Sequence, residues 1–188
     1  MRSTAMARAL YKLFLLFVLC PAASFAGEKV DFSIVDRIQF TVPGEWKVIA
    51  SRSDASRTMF AFQILNPADE GTSDSTNLVL VAYNLNQPSE KESFEVKESQ
   101  RGPNATNQKL VDGWDCSTFS AKQKRTNYVD WDCTRVVGQT GVFVRLAWPR
   151  LPRNAPDYDK SMEESLSDVL KSVIPYSRPS EGSKDQGN

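Results

Sequence analysis

Histidine is absent from all 188 residues. That absence removes Ser-His-Asp triads, Cys-His pairs and imidazole-ligated metal sites together, with the usual proton shuttle near neutral pH. Carboxylates, Lys and Tyr remain, so catalysis would have to rest on them. Cysteine is scarce, with three residues in the chain. Long apolar runs are missing too: the N-terminal one, Leu13 to Leu19, is far short of the roughly 20 residues that span a bilayer, and Pro21 follows at once. No run of basic residues occurs, which argues against nucleic acid as a partner and gives no support for anionic lipid.

What is present begins with an address. Arg2, Arg8 and Lys12 precede "LFLLFVLCPAASFA", with small residues at Ser24 and Ala26. A basic start, an apolar stretch and that small-residue pair predict a secretory signal peptide over 1–26, cut after Ala26. Cys20 invites a lipoprotein reading, but Leu19 stands where lipidation signals place a small residue. The chain from 27 to 188 then has 188 − 26 = 162 residues, enough for one domain with a real core. The leader holds three of the 23 basic residues and none of the 23 acidic ones, so the remainder carries 20 − 23 = −3. The expected destination is the periplasm or the exterior, without stable membrane insertion after cleavage. Asn104-Ala-Thr is a formal glycosylation sequon that matters only in a eukaryotic host.

Without the leader, only Cys116 and Cys133 remain, and two Cys in an exported chain allow one intramolecular pairing. "KLVDGWDCSTFSA" and "RTNYVDWDCTRVV" are aromatic, β-branched and alternating, with the polar "KQKR" between them, which predicts a β-hairpin. Strand side chains alternate faces. Trp114, Cys116 and Thr118 should therefore share one face with Val129, Trp131 and Cys133, placing two Trp diagonally about one disulfide. Asp115, Asp130 and Asp132 should point the other way, into water. The turn should centre between Lys124 and Arg125; lacking Asn-Gly or Asp-Gly, it is expected to need four residues rather than two. A redox pair would more often show Cys-x-x-Cys, and zinc needs about four N/S ligands. Calcium on Asp130 and Asp132 would want about 6–8 oxygens and a Gly-containing loop. The repeated Trp-Asp-Cys is read as a staple, and no metal, cofactor or catalytic residue is expected.

Elsewhere, "DRIQFTVPGEWKVIAS" predicts two strands about a turn at Pro43-Gly44-Glu45, and "RTMFAFQILNP" a third that Asn66-Pro67 stops. "ADEGTSDST" is an acidic loop, and "NLVLVAYNLN" a strand covered on both faces. "QPSEKESFEVKESQRG" predicts a short helix with a Ser89/Glu92 capping box, anchored only by Phe94 and Val96. "TGVFVRLAW" is a further strand before the Pro-rich "PRLPRNAP". "DYDKSMEESLSDVLKSVIP" is the clearest helix, with Tyr158, Met162, Leu166, Val169, Leu170, Val173 and Ile174 on one stripe that Pro175 ends. Residues 177–188 read as a disordered tail after a domain over 27–176. Strand runs broken by isolated helices indicate an antiparallel α+β arrangement.

"IQFTVPGEW", "FAFQILN", "LVLVAYNLN", a central helix, a long hairpin and a closing helix ending "LKSVIPY" resemble the PsbP-like/DcrB-like fold family over about residues 34–176. The resemblance implies an antiparallel β-sheet covered by helices, a PsbP-like α/β/α sandwich, with the disulfide-stapled β-hairpin as a local addition. It also implies a binding or accessory role; the family shares no catalytic set to carry over.

Three functions follow as expectations. The first is a non-catalytic protein that docks another protein of the periplasm or envelope, as an accessory factor, chaperone or toxin-immunity protein would. Tyr83, Trp148, Arg150 and the loop 68–76 are candidate contacts, although Trp148 reads more readily as core. The second is a small-ligand or ion carrier, which needs a closed apolar cavity between sheet and helix. The third is a hydrolase using Glu163 and Glu164 or Asp130 and Asp132, which would need two acids converging on a cleft.

Overall fold

The computed structural model describes residues 28–64, 75–99, 105–123, 126–150 and 156–178. The expected leader, the acidic stretch up to residue 74, Asn104, the Pro-rich residues 151–155 and tail residues 179–188 lie outside that description. The elements are β1 (Lys29–Ile34), β2 (Ile38–Pro43), β3 (Lys47–Ser53), β4 (Arg57–Ile64), β5 (Thr76–Asn84), α1 (Pro88–Ser99), β6 (Thr106–Gln108), β7 (Asp115–Gln123), β8 (Thr126–Val137), β9 (Thr140–Pro149), α2 (Pro156–Ser172) and β10 (Ile174–Pro175). The expected strands and helices occur in the expected order, and three short strands join them. β6 is the wholly exposed "TNQ" and β10 is two residues with a Pro, so neither carries an apolar pattern to read.

Every strand pair is antiparallel, in a seven-stranded sheet ordered β3-β4-β5-β9-β8-β7-β6 and a three-stranded sheet ordered β1-β2-β10. The α+β class therefore holds. The two strands about Pro43-Gly44-Glu45 enter different sheets. Gly44 donates its N–H to the Glu28 carbonyl at 2.6 Å, and a Cβ there would lie 2.7 Å from that oxygen. Glycine is needed because the backbones touch.

The inner face of the large sheet carries Leu78, Leu80, Val142, Val144, Leu146 and Trp148, all fully buried against Leu166 and Leu170 of α2 and Ile38, Phe40 and Val42 of β2. Phe32, Phe40, Phe60 and Phe62 stack and cross between the sheets, with centroids from 5.2 to 6.4 Å apart. α2 ends at Ser172, earlier than its apolar stripe. The Ser172 hydroxyl donates to the Val169 carbonyl and accepts the Thr41 N–H, tying the helix end to β2. Ile174 precedes Pro175 and so disfavours helix; it lies in β10, 46 % exposed.

In the hairpin, Cys116 stands directly opposite Cys133 and the two are bonded. Trp114, Trp131 and both Cys are buried in the main core, as the alternation predicts. The turn corrects the expectation. Pairing runs to Gln123 opposite Thr126, leaving two intervening residues rather than four.

α1 corrects its predicted cap. The N–H groups of Glu90 and Lys91 both donate to the Gln87 carbonyl, so the helix starts before Ser89, with Pro88 in its first turn. Pro is well suited there, because its missing N–H would have had no intrahelical partner. At 12 residues the helix is about 18 Å long, whereas seven strands span about 29 Å. One helix of that length covers a corner of the outer face only. Phe94 fills that corner beside Val81, Tyr83 and Phe143, and a Cβ on Gly141 would sit 2.7 Å from its ring. β5 is thus covered on both faces only at its Val81–Tyr83 end, not along its length.

Candidate binding surface

Asp130 and Asp132 do not point into water. They share the outer face of β8 with Ser117 and Phe119 of β7 and Arg145 of β9 across the ladder. Arg145 donates from Nε and Nη2 to the two oxygens of Asp132, each at 2.6 Å, and its guanidinium lies 5.7 Å from the ring centroids of both Phe119 and Phe143. A bidentate pair stacked between two rings fixes Arg145 as architecture. Asp130 is 4 % exposed. Desolvation raises its carboxyl above the ordinary range, opposed by Arg145 and assisted by Asp132. These acids share one strand and one Arg, not a cleft between two elements.

The stability consequence has a definite sign. An acid raised by folding holds its proton better folded than unfolded, so its contribution is fully present below the ordinary Asp pKa and is lost as pH rises through the folded value. Asp130→Asn should therefore raise the melting temperature at pH 7 relative to wild type, with the gain vanishing below about pH 3.9. Calorimetry at both pH values reads this directly; an equal or larger gain at the acid end would contradict it.

The other sequence candidates separate. Glu163 is half-buried and Glu164 exposed beside Lys160 at 3.8 Å, both on the surface of α2. Burial, then Asp159, raises the Glu163 carboxyl. Tyr83 is 2 % exposed under Phe94, and Trp148 is fully buried with Nε1 donating to Asp159 at 2.6 Å. Neither can meet a partner as proposed. Arg150 is exposed at the end of β9, and of the loop 68–76 only Ser75 and Thr76 are described.

The surface that sequence reasoning missed is β3. All seven of its residues are exposed, on both faces, and it is the edge strand of the large sheet. Val48 and Ile49 are 46 % and 54 % exposed. A strand with no buried side is an overhang, and its outer rim of N–H and C=O groups has no strand partner among the described residues. Its ladder to β4 shifts between Val48 and Ala50, then runs regularly from Ala50 opposite Ala61 to Ser53 opposite Thr58. The regular half borders a cleft of about 230 Å³ lined by Arg52, Asp54, Arg57, Met59, Val81 and Tyr83.

The turn from β3 to β4 shapes this cleft. Asp54 Oδ1 accepts from the Ser56 N–H and hydroxyl and from the Arg57 N–H at 2.6 to 2.9 Å. The Ser56 hydroxyl, with those two amides, lowers its pKa to about 2, so this charge is permanent and committed to the turn. Arg57 lies 5.8 Å from the Tyr83 ring centroid and 3.6 Å from Glu90 of α1. Desolvation raises the Tyr83 hydroxyl, which stays neutral. Met59 and Val81 supply the apolar lining. One signal was legible: adjacent Val48 and Ile49 break the alternation a half-buried strand keeps.

No protein-family model and no curated protein matches the chain. Solved structures do. A Bacteroides thetaiotaomicron VPI-5482 protein is similar at 15 % identity and a TM-score of 0.47 over 81 % of this chain, which spans about half of that protein (49 %). The Saccharomyces cerevisiae Ran-binding protein Mog1p is similar at 7 % identity and 0.45 over 80 % of this chain and 96 % of its own. LpqN, involved in cell envelope biogenesis of Mycobacterium tuberculosis, is similar at 13 % and 0.45 over 78 % and 90 %. Mog1p and LpqN are Mog1/PsbP-like fold proteins.

Proposed function

We propose that the chain is an exported, non-catalytic accessory protein that docks another protein of the periplasm or cell envelope, after removal of residues 1–26. The observation that carries this is β3, an overhanging edge strand with exposed Val48 and Ile49 beside a cleft containing two Arg. Soluble proteins ordinarily shorten, cover or pair such edges. The Cys116–Cys133 bond supports an oxidising compartment. Among the described residues no helix is long and apolar enough to cross a membrane, and no group of three or more His, Cys, Asp or Glu is placed to hold a metal. The carrier reading draws little support, because the clefts flanking α2 are edged by polar residues such as Lys29, Ser161, Glu164 and Asp168.

A photo-crosslinker at Ile49, compared with one at exposed Lys122 on the far side of the sheet, tests the reading in native envelope extract. We expect one protein adduct from position 49 and none from 122, with Ile49→Glu weakening capture about tenfold, the size of one interface anchor. Equal labelling from both positions, or no protein adduct with a small molecule retained in native mass spectrometry, would reject it.

A further inference from the structure

Building on that docking reading, we propose that the partner supplies an extended acidic segment. The segment adds as a strand along Ala50–Ser53 of β3 and places a carboxylate between Arg52 and Arg57. Strand addition draws its affinity from main-chain hydrogen bonds and its selectivity from side-chain pockets beside the edge. Both parts are adjacent here. The irregular ladder at Val48/Ala50 spoils the first half of the edge, so the regular half, Ala50 to Ser53, is where an incoming strand finds a straight row of backbone groups. That half leads directly to the cleft, since Arg52 belongs to both.

Charge selects the occupant. β3 carries Lys47 and Arg52 and no acid. The cleft adds Arg57, and of its three charged lining residues only Asp54 is negative. The one Asp54 oxygen that the turn engages holds three donors from Ser56 and Arg57. Glu90, a buried residue of α1, faces Arg57 Nε at 3.6 Å without a hydrogen bond to its Oε2, and the Tyr83 hydroxyl meets the same guanidinium, so an incoming carboxylate would join Arg57 from the Arg52 side. Two guanidinium groups above Met59 and Val81 match a side chain with an aliphatic stem and a carboxylate end, which is Glu. A second copy of this chain fits poorly, because pairing two β3 strands would bring two sets of Lys47 and Arg52 along one ladder. A basic segment is disfavoured for the same reason.

The probe is a blocked hexapeptide alternating Val and Glu, with its Val-Lys counterpart as control, titrated into residues 27–188 and followed by NMR and amide hydrogen exchange. The Val-Glu peptide should bind at least tenfold tighter than the Val-Lys peptide, with slowed exchange confined to Ala50–Ser53 and shifts at Arg57. Arg52→Glu/Arg57→Glu should reverse the preference. Because Arg57→Glu would face Glu90, Arg52→Gln/Arg57→Gln serves as the second variant and should remove the preference with the fold intact. Equal binding of both peptides, no binding of either, or protection elsewhere would overturn the proposal. A partner cross-linked from Ile49 through a segment that is not acidic would also overturn it, while leaving the docking reading standing.

Discussion

Replacing Cys116 and Cys133 together by Ala should lower the melting temperature by about 6–12 °C. The bond closes a loop of 17 residues between directly opposed positions. Restricting the unfolded chain over a loop of that size contributes about 3 kcal/mol, and a domain near 160 residues shifts about 2–4 °C per kcal/mol. The location adds a second effect of the same sign. Cys116 and Cys133 are 1 % and 0 % exposed and belong to the cluster that contains Trp114 and Trp131, so shortening both side chains also loosens packing about the two indoles. Trp114 donates Nε1 to the Leu170 carbonyl of α2 at 3.1 Å, so the hairpin and the helix share the disturbance. Differential scanning calorimetry of the double variant against oxidised wild type is the measurement. A shift under about 2 °C would mean the hairpin is held by its ladder and its Trp residues, not by the bond. Burial makes a companion expectation for chemistry: reductant should act on the folded protein far more slowly than on the denatured chain.

Much of this architecture could be read from residues alone because its causes are local or periodic. The Met162–Leu166–Val169–Leu170 stripe specifies a helix with one buried side, and α2 lies as that stripe requires. Alternation about Cys116 and Cys133 fixed which side chains face the core. Three errors share the opposite origin. Alternation places Asp130 and Asp132 on the face away from the disulfide, where water is expected, but it does not report that Arg145, opposite Asp132 on the next strand β9, pairs with Asp132 on that face. Tyr83 reads as a contact because an aromatic near a loop often anchors an interface; Phe94 of α1 lies over it, a placement no spacing encodes. The Ser89/Glu92 pattern predicts the cap at Ser89, yet the chain enters α1 from a turn in which Gln87 donates to the Asn84 carbonyl, so Gln87 rather than Ser89 accepts the first helical bonds. The β3 surface escaped for a related reason. Its significance lies in its exposure on both faces, and a sequence records neighbours along the chain, not neighbours in space.

Trp148→Ala should have the largest single effect, about 3–5 kcal/mol, the range for removing a buried aromatic from a packed interior. Against a typical total of about 5–15 kcal/mol, this approaches unfolding. The indole is fully buried, packed near the end of β9, and Nε1 donates to Asp159 in the first part of α2 at 2.6 Å. It therefore joins sheet to helix where α2 begins, and removing it loses both the apolar contact and the link. Trp148→Phe separates the two. It keeps most of the ring, removes the donor, and should lose about 1.5–3 kcal/mol, the range for a hydrogen bond to a charged group. Asp159→Ala should lose a similar amount from the other side, leaving Nε1 without that acceptor. Urea midpoints of the three variants give the order Trp148→Ala, then the two milder changes close together. The same variants discriminate between core and interface roles for this Trp. A core role requires Trp148→Phe to retain partner capture through position 49 at temperatures where it is folded. Lost capture at unchanged stability would instead place the docking face at the β9 end of the sheet, away from β3.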